Sequence, residues 1–181
     1  PNLSMVGVDD RAAAYQAVSY LIQQGHRKIA VLGGPATSYP SMMRRQGAQQ
    51  AMEDAGIRFE DKLYGLSNYD FESAYHAMNG LLARRAEFTA LFAMSDVIAF
   101  GAIRALVSAG LRVPEDVSVI GFDGITMSRY CVPVMTTIVQ PSEQIALQSI
   151  ELLVRQIEHG TPAQTVTLQP ELQQGESVRA I

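Results

Sequence analysis

The segment VPEDVSVIGFD, residues 113–123, limits most narrowly what this chain can fold into. Val113–Asp116 is typical of a turn, and Val117–Phe122 is an apolar run rich in β-branched side chains. A run of this length between turn residues predicts a strand buried on both faces, as in a parallel sheet. The run ends at Asp123, and in open α/β sheets ligands bind beyond the carboxyl ends of the strands. The segment therefore predicts both a fold class and a binding site.

Apolar runs alternate with segments of helical period over the first two thirds of the chain. Predicted strands cover residues 4–8, 28–33, 62–66, 89–94 and 117–122, and predicted helices cover 10–24, 41–55, 71–83 and a segment that runs to 109. We expect Asp10 to cap the first helix and either Ser95 or Asp96 to cap the fourth. This alternation with short connections predicts an α/β fold, a doubly wound parallel sheet with helices on both faces.

The pattern changes after Asp123. Residues 124–134 are irregular, 136–140 are extended, 142–159 have helical period, and 165–169 and 172–178 are short predicted strands. The helix 142–159 has an apolar face that needs a partner to cover it. The face consists of Ile145, Ala146, Ile150, Leu153, Val154 and Ile157.

Composition excludes several classes of protein. The 181 residues carry a net charge of −4, and the few basic pairs are scattered, so the chain does not resemble a nucleic-acid-binding domain in its own right. The single cysteine, Cys131, excludes an internal disulfide and favours a reducing compartment. No apolar stretch approaches the length of a membrane span. The N-terminus begins close to a strand and has no signal-peptide pattern, and we expect a piece of a longer protein.

Motifs for common catalytic chemistry are absent. The sequence has no GxGxxG, GxxxxGK[ST], GxSxG, HExxH or CxxC. His26, His76 and His159 are not spaced as metal ligands, and a solvated or structural histidine is the simpler interpretation. We therefore expect neither a cofactor nor a metal, and we expect that the protein is not an enzyme.

Polar and aromatic residues do recur where predicted strands end and helices begin. They are Tyr39, Ser41 and Arg44 after the second strand, Tyr69 after the third, Ser95 after the fourth and Asp123 after the fifth. An arginine, an aromatic ring and a carboxylate on one rim suit a small polyhydroxylated or polar ligand. Simpler interpretations stand beside this one: Ser95 or Asp96 as a helix cap only, Arg44 as a solvated helix arginine, and Tyr69 as loop packing.

Several segments together resemble the effector-binding core of the LacI/GalR family of bacterial transcription regulators. They are GHRKIAVLGGP, SMMRRQGAQQAMEDAG, FESAYHAMNGLL, FTALFAMSDVIAFGAIRALVSAGLRVPEDVSVIGFDG and TTIVQP, and the resemblance extends from about residue 8 to residue 177. It implies a periplasmic-binding-protein-like fold of which one lobe is complete and the other is mostly missing. It also implies a cytoplasmic protein that forms a homodimer or higher homo-oligomer, and that contacts operator DNA only through a missing N-terminal headpiece.

The resemblance also implies roles for individual residues. Arg44, three residues before Gly47, matches the family's effector-contacting arginine, and Tyr69 matches its aromatic contact. Ser95 stands where the family usually has asparagine, and Asp123 matches its ligand aspartate. Two departures bear on effector identity: the loop before Arg44 is about one residue shorter than the common spacing, and Gly124 replaces a second aspartate.

The resemblance divides the chain into four segments. Residues 1–8 would be a crossover strand from the missing lobe, 9–137 the C-terminal effector-binding lobe, 138–162 a helix of the missing N-terminal lobe, and 163–181 return strands to the C-terminal lobe. Two alternatives remain at this point: a periplasmic sugar-binding protein of a transport system with the same fold, and an α/β enzyme that uses the same rim.

Overall fold

A computed structural model describes residues 3–85 and 87–181. The described residues form eight strands and five α-helices. The strands are β1 (Met5–Val8), β2 (Ile29–Gly33), β3 (Tyr64–Leu66), β4 (Ala90–Ala93), β5 (Ser118–Asp123), β6 (Thr136–Val139), β7 (Thr165–Leu168) and β8 (Glu171–Gln173). The helices are α1 (Asp10–Gln23), α2 (Tyr39–Asp54), α3 (Phe71–Ala83), α4 (Asp96–Ser108) and α5 (Ser142–His159). The predicted alternation is therefore present, with boundaries that match or are shifted by up to five residues.

Six of these strands form one sheet in the order β3-β2-β4-β5-β6-β8, all parallel except β8, which runs antiparallel to β6. Helix α1 packs on α2, and α3 packs on α4. The chain passes from β2 outward to β3 and then back across to β4, so the strand order reverses between β2 and β4. At such a point the connecting loops diverge and leave a crevice at the carboxyl ends of the strands.

Burial on both faces explains why the central strands are continuous apolar runs in the sequence. Every residue of β2 and β4 is buried, and in β5 only Asp123 is not fully buried. Phe92 and Phe122 are the largest fully buried side chains. A strand covered by helices on both faces has apolar residues throughout, without a polar residue at every second position. The prediction made from Val117–Phe122 relied on this property.

The structure shows which residues cap helices α1 and α4. The cap of α1 is Asp9, whose side chain accepts from the Ala12 amide at 2.9 Å, so the expectation that Asp10 would cap this helix was wrong. The cap of α4 is Ser95, which accepts from the Ile98 amide at 3.1 Å. The carboxylates of Asp10 and Asp96, one position further along in each case, are therefore free to make other contacts.

The remaining elements lie outside the six-stranded sheet. Strands β1 and β7 pair in parallel as a separate two-stranded sheet, and α5 packs against β1. The two predicted return strands lie in different sheets: β8 joins the large sheet, and β7 pairs with β1. Among the described residues, no helix combines the length and the apolar character needed to cross a membrane.

Candidate ligand-binding site

Arg44 of α2 lies against the carboxyl ends of β4 and β5, where its side chain contacts Met94 and Asp123. Its side chain is 7% exposed, and its Nε donates to Asp10 Oδ1 at 2.7 Å. Nη1 donates to the carbonyl of Met94 at the end of β4 and lies 3.5 Å from Asp123 Oδ1. The guanidinium also stacks over the Phe122 ring, 3.6 Å from its centroid. The alternative that Arg44 is a solvated helix arginine is therefore wrong.

A glycine one turn further along α2 explains how Arg44 reaches this position. A β-carbon built on Gly47 would lie 2.0 Å from the Arg11 carbonyl oxygen of α1. Only glycine permits the two helices to approach so closely, and the approach brings Arg44 to Asp10 in the first turn of α1. The spacing of Arg44 and Gly47 is thus a packing requirement as well as a sequence match.

Asp123 meets Arg44 from the end of β5. Its side chain is 27% exposed, and Gln140 Nε2 donates to Oδ1 at 2.7 Å. Burial raises the pKa of the Asp123 carboxyl, while the nearby Arg44 charge and the Gln140 bond act in the opposite direction. Its backbone has φ of 116°, a conformation that residues with a β-carbon rarely adopt and that tends to be retained at functional sites.

The loop after β2 supplies the opposite wall. Ser41 is buried, and its hydroxyl donates to the Gly34 carbonyl at 3.1 Å. The ring of Tyr69 lies so close to Gly34 that a β-carbon there would be 2.1 Å from it. Tyr69 has φ of 61°, and its buried hydroxyl has no hydrogen-bond partner among the described residues. An unpaired buried hydroxyl is costly, which favours a role for Tyr69 beyond loop packing.

The remaining predicted residues occupy different positions. Ser95 is buried beside Met94, but its side chain is used as the helix cap. Tyr39 begins α2 with its side chain 65% exposed, further out than the others. The structure therefore places Arg44 and Asp123 in contact, and it puts Tyr39 at the periphery.

Asp96 is neither the helix cap nor a rim residue. It is fully buried, Thr137 Oγ1 donates to its Oδ1 at 2.6 Å, and the Ile125 amide donates to its Oδ2 at 2.8 Å. Burial raises the pKa of Asp96 to about 6, even though both hydrogen bonds favour the charged form.

Three site residues were missed from the sequence. Asp10 and Gln140 each lie just after a strand, and the rule that ligands bind at carboxyl ends of strands would have included both. Phe122 was assigned to the core, and its second function, as the surface on which Arg44 stacks, requires knowledge of the register of β5 beside α2.

The assembled site offers donors and acceptors of both kinds. Arg44 and the Gln140 amide donate, the Asp123 carboxylate accepts, and the Asp123 side chain is 27% exposed. A groove of about 540 Å³, lined by Gly124, Arg129, Gln140 and Glu143 among others, continues from Gln140 toward the start of α5. Within the described part of the chain, no group of three or more His, Cys, Asp or Glu side chains is arranged to hold a metal ion. The donors and the acceptor of the site together suit the recognition of hydroxyl groups.

Comparison with known proteins supports this interpretation. The profile of the periplasmic binding protein-like domain matches residues 18–178. The HTH-type transcriptional regulator MalR of Clostridium butyricum is 38% identical over 174 residues, covering 96% of this chain and 52% of its own length. The chain thus spans about half the length of such relatives.

Solved structures with the same fold include sugar complexes. A transcriptional regulator CelR–cellobiose complex superimposes with a TM-score of 0.91 at 33% identity, over 97% of this chain and 54% of that one. A LacI family transcriptional regulator from Enterococcus faecium with bound ribose gives a TM-score of 0.90 at 28% identity, over 98% of this chain and 66% of that one.

Proposed function

This chain belongs to the family of periplasmic binding protein-like domains, in the form found in LacI-type transcription regulators, and from that membership we propose that it senses a small polar effector. The contact between Arg44 and Asp123 at the carboxyl edge of the parallel sheet is the observation that carries this proposal. No bond is made or broken in the function we propose. Binding instead shifts a conformational equilibrium.

A sugar is the effector class that the site suits best. Arg44, Asp123 and Gln140 place donors and an acceptor side by side, which matches the paired donor and acceptor character of adjacent hydroxyls. Tyr69 adds an aromatic ring and an unpaired hydroxyl to the opposite wall. The ligands named for the similar structures, cellobiose and ribose, belong to the same chemical class.

The chain would form most of one lobe of a two-lobed domain. Under this proposal residues 9–137 are the C-terminal lobe, and 1–8 and 138–162 contribute to a first lobe completed by further chain. The apolar face of α5 supports this division, because its residues Ile150, Leu153, Val154 and Ile157 are 41–74% exposed. Aliphatic surface of this extent is unfavourable in water and is normally covered.

The whole protein would act as a cytoplasmic regulator, of the repressing kind found among its relatives, such as the HTH-type transcriptional repressor PurR of Histophilus somni. Its operator contacts would come from an N-terminal headpiece, and its subunits would associate as a homodimer. Effector binding between the lobes would favour one lobe arrangement, and this change would alter operator affinity. The relatives' names are those of regulators, which favours this function over transport.

The test is calorimetric titration of the protein with cellobiose, maltose, ribose and nucleosides, followed by the variants Arg44→Ala and Asp123→Ala. Because each variant removes one partner of a desolvated polar contact, the free energy of binding should become less favourable by about 2–4 kcal/mol. Arg45→Ala is the matched control: Arg45 is the neighbouring arginine of α2, and it stacks over Tyr64 at 4.4 Å. Equal affinity of all three variants for a bound sugar would contradict the assignment of Arg44 and Asp123.

A further inference from the structure

The turn that follows β5 has an unusual backbone. Asp123 has φ of 116° and Gly124 has φ of 72°, so two successive residues have positive φ at the position we assign to the effector. A β-carbon on Gly124 would lie 2.7 Å from Val139 of β6, which shows how tightly the turn packs on that strand. Such a conformation persists only when its surroundings hold it in place.

The carboxylate of Asp96 provides that support. The amide of Ile125 donates to Asp96 Oδ2 at 2.8 Å, so a carboxylate at the first residue of α4 anchors the turn directly after Gly124.

Asp96 also ties the turn to the neighbouring strand. Thr137 of β6 donates to Asp96 Oδ1 at 2.6 Å. Directly after β6, Gln140 donates its side-chain amide to the Asp123 carboxylate and its backbone amide to the Asp123 carbonyl. The two aspartates are therefore held between the same strand and the same turn.

The sequence makes room for this carboxylate. A β-carbon on Gly121 would lie 2.2 Å from Asp96 Oδ1, so any larger residue in β5 would displace it. Ser95 already caps α4, so Asp96 is not needed for that purpose. Burying a carboxylate such as that of Asp96 has an unfavourable desolvation energy. Because Asp96 does not cap α4, its burial indicates a different function.

We propose that Asp96 is a positioning residue that sets the orientation of Asp123 toward the effector without contacting the effector itself. This inference rests on the proposed function, since it assigns the purpose of the turn to effector binding. The titratable neighbours of Asp96 are Asp123 and Cys131, and Arg44 is the cation beyond Asp123.

The first arm of the test needs no ligand. In the ¹⁵N-labelled chain, the Ile125 amide signal should titrate with a midpoint near 6 and should not do so in Asp96→Asn. The side-chain amide signals of Gln140, which report on Asp123, should move in Asp96→Asn. Ile98→Val, which removes one methyl group from the same helix, is the control and should leave them in place. Thr137→Val should move the same signals and Thr137→Ser should restore them, which keeps the test available if Asp96→Asn does not fold.

The second arm measures affinity for cellobiose and ribose at pH 7.5. Asp96→Asn should weaken the binding of whichever sugar the wild type binds by about tenfold. If neither sugar binds the wild type, the choice of a sugar effector loses support, while the first arm still decides the role of Asp96. The inference would be overturned if the chemical shifts of the Gln140 side-chain amide were the same in Asp96→Asn, Thr137→Val and Ile98→Val. Unchanged sugar affinity in Asp96→Asn would also overturn it.

Discussion

Replacing Asp96 with asparagine should change how the stability of this protein depends on pH. Burial raises the pKa of the Asp96 carboxyl from 3.8 to about 6. The folded state therefore keeps the proton over a range in which the unfolded state has lost it. It follows that the contribution of this group to stability is fully present below about pH 4 and is lost as the pH rises through about 6.

The magnitude follows from the size of the shift. About two pH units at about 1.4 kcal/mol each correspond to about 3 kcal/mol of unfolding free energy. Because Asp96 is fully buried, solvent screening does not reduce this figure substantially. Asparagine cannot titrate, so relative to wild type the variant should gain about 3 kcal/mol between pH 4 and pH 8. A change in hydrogen bonding adds an offset that does not vary with pH.

Urea denaturation at intervals of half a pH unit, followed by circular dichroism, measures this difference. Asp116→Asn is the control, because the Arg112 ion pair holds the pKa of Asp116 down at about 2. Its carboxylate stays charged in both states above about pH 5, so the control should run parallel to wild type from pH 5 to 8. Parallel curves for Asp96→Asn and wild type over the whole range would refute the reasoning from burial.

Three further predictions concern other parts of the molecule. The isolated chain should self-associate through the exposed face of α5, where each aliphatic side chain is worth about 1.5–3 kcal/mol on burial, and Leu153→Glu should return it to a monomer in light scattering. A wild-type monomer at high concentration would contradict this. Burial lowers the pKa of His26, so the stability that this group contributes above about pH 6.5 should be lost as the pH falls. In His26→Gln, the urea midpoint should therefore depend less on pH between pH 7.5 and 5 than it does in the wild type. The same pH dependence in both proteins would contradict this prediction. With a net charge of −4, the chain alone should enrich no sequence from a random DNA pool, and reproducible enrichment would show that no separate headpiece is needed.

The fold was largely predictable because its strands are buried on both faces. Continuous apolar runs such as Val117–Phe122 identify strands of this kind, and glycine at positions 25 and 110 marks helix ends through positive φ. The pairing of β7 with β1 was not predictable, since a four-residue strand carries no information about which sheet it joins. Cap assignment failed for α1 because Asp9 and Asp10 are chemically equivalent, and only the backbone geometry distinguishes them.

The candidate site was predictable only as a set of positions. The rule of carboxyl strand ends brings Arg44 and Asp123 to one edge of the sheet, but not into contact. Their contact depends on the close approach of α1 and α2 at Gly47 and on the positive φ of Asp123. The burial of Asp96 could not be read from the sequence, because the serine before it satisfies the same capping pattern.

The way Arg44 is held bears on how a ligand would be recognised. Asp10 fixes one side of the guanidinium at 2.7 Å, the Met94 carbonyl fixes another, and the Phe122 ring supports its face. A side chain already ordered by three contacts loses little conformational entropy when a ligand arrives. Its contact with Asp123 is much longer, at 3.5 Å, so this pair is the loosest part of an otherwise tight arrangement. A ligand hydroxyl that bridges Arg44 and Asp123 would gain hydrogen bonds from both without displacing the contacts that hold Arg44, which is why the crevice between these two residues, and not the Asp10 side, is where we place the effector.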